Sequence, residues 1–133
     1  MNGKKTLEEA RKMFESDHFA NGNGAVIEEI GENTATCCLI ITDSHRNAMG
    51  AVMGGASFML ADFAFAVAAN HKKMEFVSLH ADIAFLGSAK GGKLIAKATC
   101  VKKGKTTCLY RIDVTDDLGN LIATVTTTGY RVG

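Results

Sequence analysis

The chain has 133 residues, 47% of them hydrophobic, with 15 basic and 14 acidic side chains. A charge balance this close to neutral excludes a nucleic-acid coat and a basic membrane-surface protein, so neither nucleic acid nor a membrane is expected as a partner. Length and apolar content suit a single domain, 1–133, that buries its core without disulfides or metal; Cys37, Cys38, Cys100 and Cys108 form no C-x-x-C pair and follow no secretory signal, the pattern of reduced thiols in a cytoplasmic protein.

Residues 6–14 read as a short helix, because Thr6 and Glu9 make a capping box and Leu7, Ala10, Met13 and Phe14 share one face. A glycine and asparagine break at 21–24 precedes two strands, 25–30 and 34–42, joined across Gly31, Glu32 and Asn33 as a hairpin. A loop, 43–53, leads to an apolar helix ending near Asn70, where His71, Lys72 and Lys73 suit the negative end of its dipole. The period then changes. Val77, Leu79, Ala81, Ile83 and Phe85 alternate through 76–86, predicting a strand with one buried face. Three more strands, 93–102, 106–115 and 121–132, follow with connections short enough to make them antiparallel neighbours.

From Ala48 to Ala69 the only charged side chain is Asp62. The run is long enough to cross a bilayer, but a central carboxylate costs about 2.5–3.5 kcal/mol on insertion and the content of Ala and Gly suits a core helix better. Gly54 and Gly55 stand at its start, where a helix presents unpaired backbone N–H groups and positive dipole to a ligand. The stretch therefore offers an anion-stabilising end and, further along, a buried acid. With the helix starting at Gly54, Asp62 lies eight positions on, roughly 12 Å along the axis at 1.5 Å per residue. For both to act on one carbonyl they must come from two chains related by a twofold axis, which predicts a homo-oligomer, a dimer or a dimer of dimers.

A helix apolar on all sides needs a curled sheet and a symmetry mate to cover it. That is an α+β hot-dog fold: a curled antiparallel sheet of about six strands around one long central helix, with a short N-terminal helix. The run His45-Arg46-Asn47-Ala48-Met49-Gly50-Ala51-Val52-Met53-Gly54-Gly55, followed by Leu60-Ala61-Asp62, resembles the signature of the PaaI-type hot-dog thioesterases, and the likeness continues through Val77-Ser78 and Lys103-Gly104-Lys105-Thr106. The resemblance implies hydrolysis of an aryl- or medium-chain acyl-coenzyme A thioester, with no cofactor beyond the coenzyme A of the substrate. It implies that Asp62 is the base or nucleophile, that the Gly54 N–H of the partner subunit polarises the carbonyl, and that Asn47 helps hold the water or the carboxylate. Met53, Gly55 and Ser78 fall at positions facing substrate, Ser78 as a hydroxyl that assists the aspartate in some members.

Two positions depart from that pattern: the chain has no proline, so the one the family often carries after the third strand is replaced near Gly87, and a site residue differs. Met53 stands where the family commonly has histidine, and it can neither donate a hydrogen bond nor carry charge. Two alternatives follow: a non-catalytic acyl-coenzyme A binding module on the same fold, and a hydratase or dehydratase built on a histidine such as His45. The other features read as structural. His18, His45, His71 and His80 have no metal-ligand spacing and default to surface or loop positions; Gly104-Lys105-Thr106 is a hairpin tip rather than a phosphate loop; Lys90, Lys93, Lys102, Lys103 and Lys105 are candidates to meet coenzyme A phosphates.

Overall fold

A computed structural model describes residues 6–132. The elements are α1 (Leu7–Met13), α2 (His18–Gly22), β1 (Val26–Gly31), β2 (Thr34–Ile40), a 3₁₀ turn (Asp43–His45), α3 (Gly54–Asn70), β3 (Phe76–Phe85), β4 (Lys93–Lys103), β5 (Thr107–Asp116) and β6 (Leu121–Arg131). Six antiparallel strands form one sheet in the order β1-β2-β4-β5-β6-β3, and α3 packs across it. This is the hot-dog architecture.

Local chemistry explains the boundaries. The Thr6 hydroxyl accepts from the Glu9 N–H while Glu9 reaches back to the Thr6 N–H, so both orphan donors at the start of α1 are satisfied. Ala10 and Phe14 are buried, and Phe14 meets Phe63 of α3 edge-on at 6.0 Å. The helix therefore packs beside β1, and the residue that ends it, Phe14, reaches α3. Residues 18–22, expected to be partly a break, instead make one helical turn because the Asp17 carboxylate accepts from the Ala20 N–H at 3.2 Å. The hairpin turn falls where expected, with Asn33 at positive φ, a conformation asparagine tolerates.

Asn70 ends α3. Its Oδ1 accepts from the Glu75 and Phe76 N–H groups at 2.9 and 2.8 Å and its Nδ2 donates to the Phe76 carbonyl, which turns the chain directly into β3. Of the cations expected at the dipole end, His71 is buried and donates from Nε2 to the Gly31 carbonyl, while Lys72 pairs with Glu32. At the opposite end of the sheet, Asp116 accepts from the N–H groups of Lys90, Leu118 and Asn120 and from the Asn120 amide, at 2.8 to 3.0 Å. One carboxylate thus ties the β5–β6 turn to the 87–92 loop.

That loop joins strands that do not pair. β4 lies between β2 and β5, and β3 instead crosses to the far edge of the sheet beside β6. The predicted buried face of β3 is not buried in the single chain: Val77, Leu79 and Phe85 are 49, 62 and 59% exposed. A bulge between Ser78 and His80 breaks the alternation, and an edge strand has a neighbour on one side only. The four cysteines are free thiols, and burial pushes those of Cys37, Cys38 and Cys108 upward. No helix among the described residues is long and apolar enough to cross a membrane.

Candidate active site

The site is built from the loop before α3 and from the helix itself. Asn47 shapes the loop: its Oδ1 accepts from the Met49 and Ala51 N–H groups at 3.0 and 3.1 Å, and its own N–H donates to the Ala51 carbonyl. A bridge between Arg46 and Val52 closes the turn, with Gly50 at φ +78° at its tip. His45 holds the base. Its Nδ1 accepts from the Thr42 N–H at 3.0 Å, its Nε2 lies 2.7 Å from the Asn23 carbonyl, and its own carbonyl accepts from the Met53 N–H. This pattern assigns the ring proton to Nε2. Contrary to expectation, His45 is buried, and with both nitrogens committed it has nothing left for a hydratase's acid–base work.

Met53 is the N-cap of α3 and gives it no side-chain hydrogen bond. A serine or aspartate there would occupy the first N–H groups; methionine leaves them open. The Met53 carbonyl takes the Ala56 and Ser57 N–H groups, so the uncapped donors are those of Gly54 and Gly55. A glycine is needed at 54 for a further reason: a Cβ would stand 2.8 Å from the Phe85 ring.

Asp62 lies two turns along the same helix. The sequence predicts a buried acid, but in the single chain the side chain reaches the surface. It belongs to a stripe, Gly55, Phe58, Met59, Asp62 and Ala66, that the chain's own sheet leaves uncovered, while Ala61, Phe63 and Ala64 beside it are buried. Among the described residues no donor is bonded to its carboxylate. Burial between neighbouring apolar atoms, and secondly the negative charge of Asp17 on α2, push its pKa above the ordinary 3.8. An unpaired carboxylate with a raised pKa is a competent base.

Of the other expected site residues, Asn47 has no hydrogen bond to Asp62 within the chain, and Ser78 is exposed on edge strand β3. Within one copy the loop residues 47, 53, 54 and 55 are brought together, and Asp62 and Ser78 are not. The candidate phosphate lysines divide: Lys93 pairs with Glu28 and Lys103 lies 3.8 Å from Glu75, whereas Lys90, Lys102 and Lys105 are exposed. Among the described residues no three His, Cys, Asp or Glu side chains converge to hold a metal ion.

A cavity of about 210 Å³ opens between α2 and the start of α3, lined by Phe19, Met53, Gly55, Ala56 and Met59 with Asn23, Ser44 and His45 behind them. Nothing in the motif that marks the site points to Phe19 or Asp17 as its neighbours. Only an aspartate three positions before Ala20, an N-cap spacing, could have announced the turn that carries them.

A curled sheet around one helix, with an uncapped glycine pair at the helix start and a lone acid on its flank, defines a hot-dog thioester hydrolase. The family model of the thioesterase superfamily matches residues 49–123, and the chain belongs to that superfamily, among its PaaI-like members. It is 30% identical over 130 residues to the acyl-coenzyme A thioesterase PaaI of Escherichia coli, covering 97% of this chain and 93% of that one. A putative esterase of Archaeoglobus fulgidus is 33% identical over 121 residues, 90% of this chain and 79% of the relative. The solved E. coli PaaI structure superposes with a TM-score of 0.88, covering 95% of this chain and 92% of that one. A hypothetical thioesterase of Streptococcus pneumoniae solved with coenzyme A gives 0.83 at 26% identity, covering 90 and 97%.

Proposed function

We propose that the protein hydrolyses an aryl- or medium-chain acyl-coenzyme A to the free acid and coenzyme A, in a site shared between two copies of the chain. The observation that carries this is the pairing of an unbonded, proton-avid Asp62 with uncapped N–H groups at Gly54, roughly 12 Å apart along one helix at 1.5 Å per residue and hence unable to meet within a chain. A twofold axis that covers the exposed stripe of α3 and pairs the free edge of β3 brings each Asp62 toward the other copy's Gly54. The acyl-coenzyme A substrate is supported by the E. coli relative's name and the coenzyme A in the S. pneumoniae structure.

The chemistry follows from these groups. Asp62 takes a proton from water, whose oxygen bonds to the thioester carbon as the carbonyl π pair moves onto oxygen. The Gly54 N–H of the partner subunit receives that developing oxyanion. Collapse re-forms the carbonyl and breaks the C–S bond, and the departing thiolate gains a proton. As a nucleophile instead, Asp62 would form an anhydride that water then opens. A single turnover in ¹⁸O-water separates the routes, since label enters the Asp62 carboxyl only by the second. Asn47 keeps its amide N–H₂ for water or carboxylate while its oxygen holds the loop, and Ser78 reaches the site from β3.

The test is thiol release from a panel of aryl and aliphatic acyl-coenzyme A substrates by the native chain and by Asp62→Asn. Release by the native protein that vanishes in the variant supports the assignment. Equal release by both removes Asp62 from the mechanism.

A further inference from the structure

We propose that Met53 is a site of reversible oxidation, and that its sulfoxide caps α3 and closes the site from within the chain. The proposal adds a regulation to the thioesterase reading above and rests on it only for the loss of activity.

The N-cap is the position from which a side chain serves the first free N–H groups of a helix, and the residues suited to it carry an oxygen acceptor. Met53 holds that position in α3 with a thioether, a weak acceptor, and makes no side-chain bond there. Its side chain nonetheless lies where a cap would. A Cβ placed on Gly55 would stand 3.6 Å from Met53 Cε and 3.8 Å from its Sδ, so the sulfur is folded back over the first turn. The Ala56 N–H is already taken by the Met53 carbonyl, which leaves the Gly55 N–H as the donor for a cap.

Oxidation changes what the sulfur offers. The sulfur gives an electron pair to one oxygen of a hydroperoxide, the O–O bond breaks, and the other oxygen leaves as water or an alcohol. The sulfoxide oxygen that results is a polar acceptor on a flexible stem. Turned to the Gly55 N–H it completes the cap, and it then lies across the approach to the adjoining Gly54 N–H, where a thioester oxygen must bind. Met53 is 54% exposed and lines the cleft beside Gly54, so a path that admits a thioester admits a peroxide. The thiols compete poorly. Cys37, Cys38 and Cys108 are buried, and that burial pushes their pKa values up and suppresses the thiolate, the form that reacts. Methionine sulfoxide reductases return the sulfoxide to the thioether, which makes the modification a switch.

The experiment treats the whole protein with limiting hydrogen peroxide. Peptide mass spectrometry reads the sulfoxide at each methionine, beside thiol release from an acyl-coenzyme A and the exchange rate of the Gly55 amide by NMR. As Met53 is oxidised, thiol release should fall by at least about tenfold and the Gly55 amide should exchange at least about tenfold more slowly. Methionine sulfoxide reductases A and B together should reverse both changes, and dithiothreitol alone should reverse neither. Met49→Leu removes a methionine of the same loop that is 92% exposed, and it should keep the response. Met53→Leu, compared with its own untreated sample, should lose it. Recovery with dithiothreitol alone assigns the effect to a cysteine and overturns the proposal, as does a response that survives in Met53→Leu or an unchanged Gly55 amide. Should Met53→Leu release no thiol of its own, the Gly55 amide of the native protein decides. Thiol release that is equal before and after Met53 oxidation keeps the thioesterase and removes the switch; a Gly55 amide that slows in a chain without thiol release keeps the cap and removes the thioesterase.

Discussion

Asp62 and Asp116 are the same side chain in opposite circumstances. Asp116 is 1% exposed, yet four N–H bonds of 3.0 Å or less reach its oxygens, and these bonds, the Asn120 amide first and the Lys90 N–H next, hold its carboxyl far below the ordinary range. Asp62 is open on one side, but no donor among the described residues compensates the apolar atoms around it, and its pKa moves the other way. The supply of donors, rather than depth, decides whether a carboxylate stabilises a fold or stays available for chemistry. Asp116 spends its lone pairs on two loops; Asp62 keeps its own.

The largest effect should come from Asp62→Asn, which removes the base and leaves shape and volume almost unchanged. A loss of about 10²–10⁴-fold in kcat is expected for a general base, with no loss of thermal stability at neutral pH. The sign of the second part follows from linkage. A carboxyl whose folded pKa is raised favours the folded state below its unfolded value, and that contribution is lost as pH rises through the folded value, so at neutral pH Asp62 costs stability. A variant that unfolds earlier at neutral pH would mean the carboxylate has a donor after all.

Next in size is Leu79→Lys. Leu79 is 62% exposed at the bulge of edge strand β3, and a buried lysine there would oppose pairing with a second copy. Sedimentation should show a monomer that has lost most of its thiol release. A monomer with full activity would place Asp62 and its oxyanion donor in one chain and end the shared-site reading.

The sequence carried most of this because its signals were local. The Thr6–Glu9 capping box, the Gly54 start and Asn70 end of α3, and the strand boundaries within a residue or two were legible from caps, breaks and period. What was not legible depends on what lies alongside. Asp62 read as buried because every neighbour in sequence is apolar, whereas exposure is set by the gap in the sheet above the stripe from Gly55 to Ala66. The β3 alternation was visible but its bulge and edge position were not, since both arise from pairing with β6. His45 belongs to the motif, but its two ring bonds reach Asn23 and Thr42, and the first of these is closed only by the turn of α2.

Asp116→Asn tests the other half of the comparison. Its depressed pKa means that its contribution is present above the unfolded value of 3.8 and is lost as pH falls through the lower folded value. The native protein should lose stability on acidification below about pH 4, and the variant should be less stable at neutral pH, with its unfolding midpoint lowered by several degrees and a flatter acid limb. Thermal melts from pH 7 to pH 3 read both. Activity per folded molecule should be unchanged, because the Asp116 hydrogen bonds go to Lys90, Leu118 and Asn120 and none reaches the 47–55 loop or Asp62.

The smallest effect is the most specific. Asp17 caps α2 and its charge is the second cause of the raised Asp62 pKa, so Asp17→Asn, which retains an oxygen for the Ala20 N–H, removes the charge and keeps the cap. For a base that must be ionised, kcat/KM rises with pH through the Asp62 pKa, at a value above 3.8 in the native protein. In Asp17→Asn that acid limb should move to lower pH, with the plateau rate near neutral pH intact, and stay above the ordinary carboxylate position because burial, the larger cause, is untouched. A limb that stays in place would show that water or the second copy already screens Asp17 in the assembled site. A limb that moves upward would require Asp17 to have been donating a proton to Asp62 rather than repelling its charge.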